Sequence, residues 1–492
     1  MMRAGGLILA ACAALALGAC AKAPLAVAPT PERDLIEANL MRDISLLASD
    51  EFGGRRPGTP GEELTVAHII EQLELAGFQS GTNDPGSAWR APVDLVSTQA
   101  LESRIIVRTN RGEVVVPESS GSAFSGSRRA LIDGVEVVFV GTEARSVAPE
   151  SITGKIVVML GEPGVSPRRR ATLFEANPAA IITVVENEES ITNVRRAYGR
   201  EQLLLASEAT DRLTAFVTAS VMEQAFPDGT WSALVEATRA EEFAPQVLEA
   251  TIAIDARTAK REFSSSNVIG LLPGAVPDAG AVLLLAHWDH LGECGSEGAE
   301  DVICNGAIDN ASGIAVMLEL SRRLIANGPH DRDIYVIATS AEESGLLGAR
   351  AFAEAPPMPL ESIVAAFNFD TVAVAPMGGP VGFVGEGRTP LDPVILQVME
   401  ESGRTLGNRE FAESFVRRQD GWALLEKGVP AVFLSTAFGS EITLGPYLSS
   451  HYHRPSDEIS RIELGGAIDD LLLHEELVRR VASTTLYPLS AQ

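Results

Sequence analysis

From Asn267 to the C-terminus, short apolar runs alternate with segments of helical period, and this alternation limits the possible folds more than any other feature. The runs at 268–272, 282–286, 334–339, 363–367 and 431–434 have strand length, and helical patterns lie between them at 313–326, 391–402 and 468–481. Alternation of this kind predicts an α/β domain with a mostly parallel, mixed sheet and helices on both faces. Ligands of such sheets bind beyond the carboxyl ends of the strands. The chain has 492 residues, and single cores stop growing near roughly 250–300 residues, so a second unit is expected. Its signal is a change of texture, with β-type runs at 135–140, 155–160 and 179–185. The expected division is an α/β domain over 35–126 and 245–492 interrupted by a β-rich insert over 127–244. Arg168, Arg169 and Arg170 in that insert read as a solvated loop.

Near the start of the folded region, Thr59-Pro60-Gly61-Glu62 reads as a capping box with proline at the first helical position. Leu64, His68 and Leu75 give the helix that follows an apolar stripe ending at Gly77, so His68 is assigned to helix packing. The chain begins with Arg3, an apolar run at 7–17 and small residues, the layout of a signal peptide over 1–20. Leu17-Gly18-Ala19-Cys20 is similar to a bacterial lipobox, which implies lipid on Cys20, a tether over 21–34, and export to the cell envelope with the membrane reached only through that anchor. Of four cysteines, Cys12 leaves with the signal and Cys20 takes lipid; Cys294 and Cys304 remain for a disulfide in an oxidising compartment. Acidic residues outnumber basic ones 66 to 39, a net charge of −27 that repels nucleic-acid phosphates.

The residues able to bind metal fall at the ends of the predicted strands. His287-Trp288-Asp289-His290 follows one strand, Glu342-Glu343 another, and Asp370 a third. Asp309 sits in Gly306-Ala307-Ile308-Asp309-Asn310-Ala311-Ser312-Gly313, which opens a helix, and His453 lies in Tyr452-His453-Arg454-Pro455-Ser456-Asp457. Singly, each has a plain structural explanation. Together, two imidazoles and three carboxylates at one sheet edge suit a pair of borderline-hard divalent ions. His290 and His451 are expected to support the site, and Asp420 to cap the helix beginning at Trp422. The chain has neither a Gly-x-Ser-x-Gly elbow nor a His-Glu-x-x-His helix.

On these motifs the chain resembles the co-catalytic zinc peptidases of metallopeptidase family twenty-eight. The resemblance implies two Zn2+ ions, one on His287, Asp309 and Asp370 and the other on Asp309, Glu343 and His453. It also implies Glu342 as general base for a water shared by the ions, Asp289 as hydrogen-bond partner of a ligand imidazole, Tyr452 as donor to the developing oxyanion, and Arg418 as a substrate contact. Family members often carry Asp-His where this chain has Asp420-Gly421. The insert is similar to a protease-associated domain in Gly154-Lys155-Ile156-Val157 and the later Ala179-Ala180-Ile181-Ile182-Thr183. The implied activity is exopeptidase on short peptides, with aminopeptidase favoured because acidic groups can receive a free ammonium. Arg417, Arg418 and Arg454 keep carboxypeptidase open, glutaminyl cyclase is the neighbouring one-zinc alternative, and a non-catalytic receptor-like relative would have lost ligands that are all present here.

Overall fold

A computed structural model describes residues 30–489, apart from 84–85, 87, 143–146, 162–165, 241–242 and 297. The signal segment, Cys20 and the tether up to residue 29 lie outside these residues. The expected tether extends to residue 34, but helix Thr30–Leu47 begins earlier. Ion pairs account for the difference: Arg33 meets Asp469 at 2.9 Å, and Arg323 meets Glu32 and Glu475 at 2.7 Å each.

Strands Asp333–Thr339, Ala281–His287, Ile363–Asn368 and Ala431–Ser435 lie side by side and parallel. Antiparallel strands flank them, Gly382–Val384 on one side and the end of Gln246–Leu272 on the other. Every residue of Ala281–His287 is buried, as a parallel strand covered on both faces requires. Val282 and Leu284 face a core shared with helices Thr30–Leu47, Pro60–Ala76, Ser312–Ala326 and Gly465–Val481. Leu283 and Leu285 face the opposite side, against Phe352 and Leu424. The predicted mixed, mostly parallel sheet flanked by helices is the observed fold.

Helix Pro60–Ala76 starts and stops where the sequence marks it, with Gly77 left-handed at φ 103°. Its inner contacts differ from expectation. Leu64 and Leu75 are 39% and 74% exposed, while Thr65, Val66, Ile69 and Leu73 form the buried face. No capping box closes, because the Thr59 hydroxyl donates to Arg56 O and Glu62 accepts from Gly58 N and from the Ser265 hydroxyl.

The second unit also departs from its predicted outline. The strand Gln246–Leu272 runs through both units, pairing with Arg90–Thr109 and Arg129–Phe139 before it reaches Asp333–Thr339. The second core includes Ile105, Val107, Val114 and Ala123 before residue 127, and Leu248, Ile252, Ile254 and Ala256 after 244. Its sheet is mixed, with four parallel strands, Arg129–Phe139, Ile156–Leu160, Ala180–Val185 and Leu213–Thr218, flanked by antiparallel ones, and it is accompanied by helices such as Glu188–Tyr198 and Thr230–Ala237. The arginine cluster is helical rather than a solvated loop. Arg169 is buried and donates to Thr142 O and Val140 O; Arg170, also buried, donates to the Tyr198 hydroxyl at 2.7 Å and lies over the Phe216 ring.

Helices Thr30–Leu47, Pro60–Ala76 and Ser312–Ala326 meet around Asp43, which is fully buried. It accepts from Arg322 at 2.6 Å and from Arg42 at 3.1 Å, with His68 Nε2 3.5 Å away. Burial alone would raise the pKa of this carboxyl, but His68, Arg42 and Arg322 overcome that and lower it from 3.8 to about 2. Since the folded pKa is the lower one, the stabilisation is complete above the unfolded value and is lost as pH falls through about 2. A shift of this size corresponds to about 2 kcal/mol. Asp43→Asn is therefore expected to lower unfolding free energy by about that amount at pH 6, with the gap closing toward pH 2. Urea titrations across this range check it, and a gap independent of pH would reject the ionic account.

Candidate metal centre

The C-terminal ends of the four parallel strands and the turns beyond them bring the candidate residues to one edge. His287 ends its strand, Glu342 and Glu343 form the first turn after Asp333–Thr339, and Asp370 lies two residues beyond Ile363–Asn368. Asp309 precedes helix Ser312–Ala326, and His453 follows helix Glu441–Ser450. The backbone turns sharply at several of these points, with φ of 53° at Ala341, 51° at Thr371 and 58° at His453.

His287 Nε2 is 3.3 Å from Asp309 Oδ1 and 3.5 Å from Asp370 Oδ1. His453 Nε2 is 3.4 Å from Asp309 Oδ2 and 2.8 Å from Glu343 Oε2. Asp309 thus faces one imidazole with each of its oxygens. The expected supporting residue His290 comes equally close, its Nδ1 2.5 Å from Glu343 Oε1. Among the described residues, two overlapping groups bring ligand atoms within 4.8 Å of one another: His287, Asp309 and Asp370, and His290, Asp309 and Glu343. The side-chain atoms Asp289 Oδ2, His290 Nε2 and Asp420 Oδ1 are buried there without a hydrogen-bond partner among the described residues. Such atoms are costly unless something else satisfies them. A donor set of imidazole nitrogen and carboxylate oxygen fits zinc.

Electrostatics points the same way. Burial disfavours charge on His287, yet Glu342, Asp309 and Asp370 hold its pKa well above the ordinary value. Burial would raise Asp309 too, and His287 and His453 pull it well below the usual range. At Glu342 burial outweighs the lowering effect of His287 and, with Asp370, Asp420 and Glu343, pushes its carboxyl well up. Asp289 rises to about 7, again chiefly by burial.

The geometry specifies one expected role and corrects another. The Asp289 carboxylate is 3.9 Å from His287 Nδ1; the imidazole instead lies 3.1 Å from the Asp289 carbonyl oxygen, and the carboxylate accepts the Glu342 amide at 3.0 Å. A residue in a tight turn just after the strand reaches back more readily with its carbonyl than with its side chain. Asp420 makes no side-chain cap and accepts the Thr339 hydroxyl instead, because its buried carboxyl finds that donor at the neighbouring strand end. His451 packs by hydrogen-bond contact of Nδ1 with the Ser456 hydroxyl at 2.9 Å.

Several supporting residues carry no distinctive sequence signal. Asp457 accepts the amides of Ile308 and Asp309 at 3.0 and 3.1 Å and the Tyr447 hydroxyl at 3.0 Å. Asn310 donates to His287 O and Phe369 O and accepts from Gly313 N and Thr371 N, tying three segments together. Cys294 and Cys304 are joined as a disulfide, their Cα atoms 5.7 Å apart, in the short hairpin between His287 and Asp309.

The cluster opens on a pocket. Asp309, Glu342, Asp370 and Thr371 form its polar wall; Phe415, Phe433, Phe438 and Leu448 form its apolar lining, with Arg418, Gln419 and Tyr452 completing it. Tyr452 stacks on His453 at 3.7 Å between ring centres. Arg417 lies over the Trp422 ring, and Arg454 donates to Ser450 O, so of the three candidate arginines it is Arg418 that lines the pocket.

Fold and site together define an α/β protein with a buried cluster of carboxylates and imidazoles beyond the C-terminal ends of its parallel strands. Residues 267–471 match the model of peptidase family M28. Across most of its length the chain is similar to the probable lipoprotein aminopeptidase LpqL of Mycobacterium tuberculosis, 23% identical over 455 residues, 85% of this chain and 84% of that protein. Aminopeptidase YwaD of Bacillus subtilis is 34% identical over a shorter stretch of 110 residues, 22% of this chain and 21% of its own. Among solved structures, the aminopeptidase from Aneurinibacillus sp. strain AM-1 shares the fold with a TM-score of 0.55 at 19% identity, covering 91% of this chain and 94% of its own.

Proposed function

We propose that the protein is a zinc-dependent exopeptidase acting on short peptides as an aminopeptidase. The observation carrying this reading is the ligand cluster around Asp309 opening directly onto a pocket with one acidic and one apolar wall. The aminopeptidase names of LpqL and YwaD support it. His287, Asp309 and Asp370 would hold one Zn2+, and Asp309, Glu343 and His453 the other. When bound, the two ions supply Lewis-acid chemistry, lowering the pKa of a water toward about 7 and polarising the scissile carbonyl.

The remaining steps belong to the protein. Glu342 stands beside ligand Glu343 with its carboxyl pKa raised, which suits it to take a proton from water and deliver it to the leaving amine. Asp289 fixes the Glu342 backbone through the amide. Its carbonyl can accept the Nδ1 proton of His287, leaving Nε2 free for metal. Tyr452, at the pocket wall, stays protonated and can donate to the carbonyl oxygen as charge develops there. Carboxylates of the acidic wall receive the peptide ammonium, which orients the first peptide bond, while the phenylalanines receive the first side chain. The second unit, read as a protease-associated domain, would limit access by folded proteins. Arg418 favours the carboxypeptidase alternative, since a guanidinium at the pocket could pair with a terminal carboxylate.

Lipidation at Cys20 is part of the proposal, supported by the lipobox and by the lipoprotein name of LpqL. Among the described residues, no helix is long and apolar enough to cross a membrane. Cys20→Ser is expected to move the protein from the membrane fraction to the soluble one; unchanged fractionation and mature mass would defeat the assignment.

Glu342→Gln is expected to keep both metals and lose turnover by roughly 10²–10⁴-fold, the worth of a positioned base. Asp309→Asn is expected to lose metal itself. Equal metal loss in the two variants, measured by elemental analysis, would mean that Glu342 is a ligand. The terminus requirement is tested with matched peptides bearing free or acetylated N-termini and free or amidated C-termini. Acetylation should abolish cleavage and amidation should not. Loss on amidation instead would assign a carboxypeptidase, and cyclisation of N-terminal glutamine without cleavage a glutaminyl cyclase.

A further inference from the structure

The segment Asp50–Arg55 precedes the family-matched residues by more than two hundred positions, yet it reaches the floor of the metal centre. Gly53 and Gly54 both adopt left-handed backbone conformations, at φ 54° and 64°. At Gly54 a side chain is impossible without displacement, since a Cβ would lie 2.5 Å from Cys304 O and 2.8 Å from Gly292 Cα. The double glycine therefore lets the chain press against the disulfide hairpin and delivers Arg55 beneath it.

Arg55 is 1% exposed. Its Nε donates to Trp288 O at 2.9 Å, Nη1 to Leu47 O at 2.8 Å and to Asn305 O at 2.5 Å, and Nη2 to Gly306 O at 2.9 Å. In return, the Arg55 carbonyl accepts the His290 amide at 3.4 Å. Trp288 directly follows His287, and Gly306 lies three residues before Asp309. One planar guanidinium thus spans the strand end bearing one ligand and the loop bearing the ligand common to both candidate groups. Its charge also faces Asp457, Asp309, Asp289 and Glu343.

We propose that Arg55 is a positioning residue of the metal centre, setting the spacing between the His287 strand end and the Asp309 loop through these four carbonyls. This rests on the two-metal reading above. Lysine cannot replace it, because an ammonium keeps the charge but offers three donors from one point, whereas the fork presents five in fixed directions. Supporting partners of metal ligands typically change metal affinity by 10–100-fold when removed.

The test uses the full chain, stripped of metal and titrated with Co2+ against a chromophoric chelator, with the visible Co2+ spectrum recorded. The variants are R55K and R55M. Leu73→Ala is the control, since Leu73 is buried in the hydrophobic core against Gly270 and makes none of the Arg55 hydrogen bonds. The expected result is Co2+ affinity about tenfold weaker in R55K and up to about 100-fold weaker in R55M, with altered absorption bands. L73A should lose thermal stability while keeping wild-type affinity and spectrum. Wild-type affinity and spectrum in R55K would overturn the proposal, and R55K alone decides if R55M does not fold. If the wild-type chain binds no Co2+, the two-metal reading falls and this inference with it.

Discussion

Like charges forced together out of water are the constraint on which this structure turns. Asp289, Asp309, Glu342, Asp420 and Asp457 share a buried edge with Glu343 and Asp370. A carboxylate in such surroundings either takes up a proton or finds a positive partner. Both outcomes occur side by side: burial drives Glu342 and Asp289 toward protonation, while imidazoles hold Asp309 and Glu343 ionised. The adjacent Glu342 and Glu343 therefore differ in proton affinity. That difference separates a base from a ligand in the proposed chemistry.

Holding such a cluster requires backbone anchors that repulsion cannot pull apart. The carboxylates are fixed from behind by neutral or positive donors: main-chain amides for Asp289 and Asp457, a hydroxyl for Asp420. Asn310 ties two strand ends to the start of helix Ser312–Ala326, and Arg55 ties one of those strand ends and the Asn305–Gly306 loop to the first helix. Parallel strands bring these groups together because every strand ends on the same side, so the turns after them converge. The long strand Gln246–Leu272 then carries the same sheet into the second unit, which makes the relation between the two units a matter of strand register as well as connecting loops.

Much of this was legible in the chain. Fully apolar runs of strand length located the parallel strands to within a residue or so, since a strand covered on both faces has no polar positions to disguise it. Gly77 ended its helix as expected because the left-handed turn there is a local demand. The candidate ligands could likewise be picked out, being rare residue types placed just after those strands. The stripe of helix Pro60–Ala76 was misplaced, however: leucines mark apolarity, but which leucines are covered depends on the neighbours that arrive.

The sequence by itself determined where the strands and helices lie and which residues of metal-binding type stand at their ends, because these follow from local covalent geometry and from burial averaged over a few residues. Tertiary structure alone decided that Asp289 supports His287 with a carbonyl, that Asp420 holds Thr339 instead of a helix end, that Arg169 and Arg170 are buried, and that Arg55 reaches Gly306 across 251 positions. Each of those outcomes is a choice of hydrogen-bond partner by a side chain with several donors or acceptors. The choice depends on which distant backbone groups folding leaves unpaired and within about 3 Å, a distance that no pattern along the chain encodes.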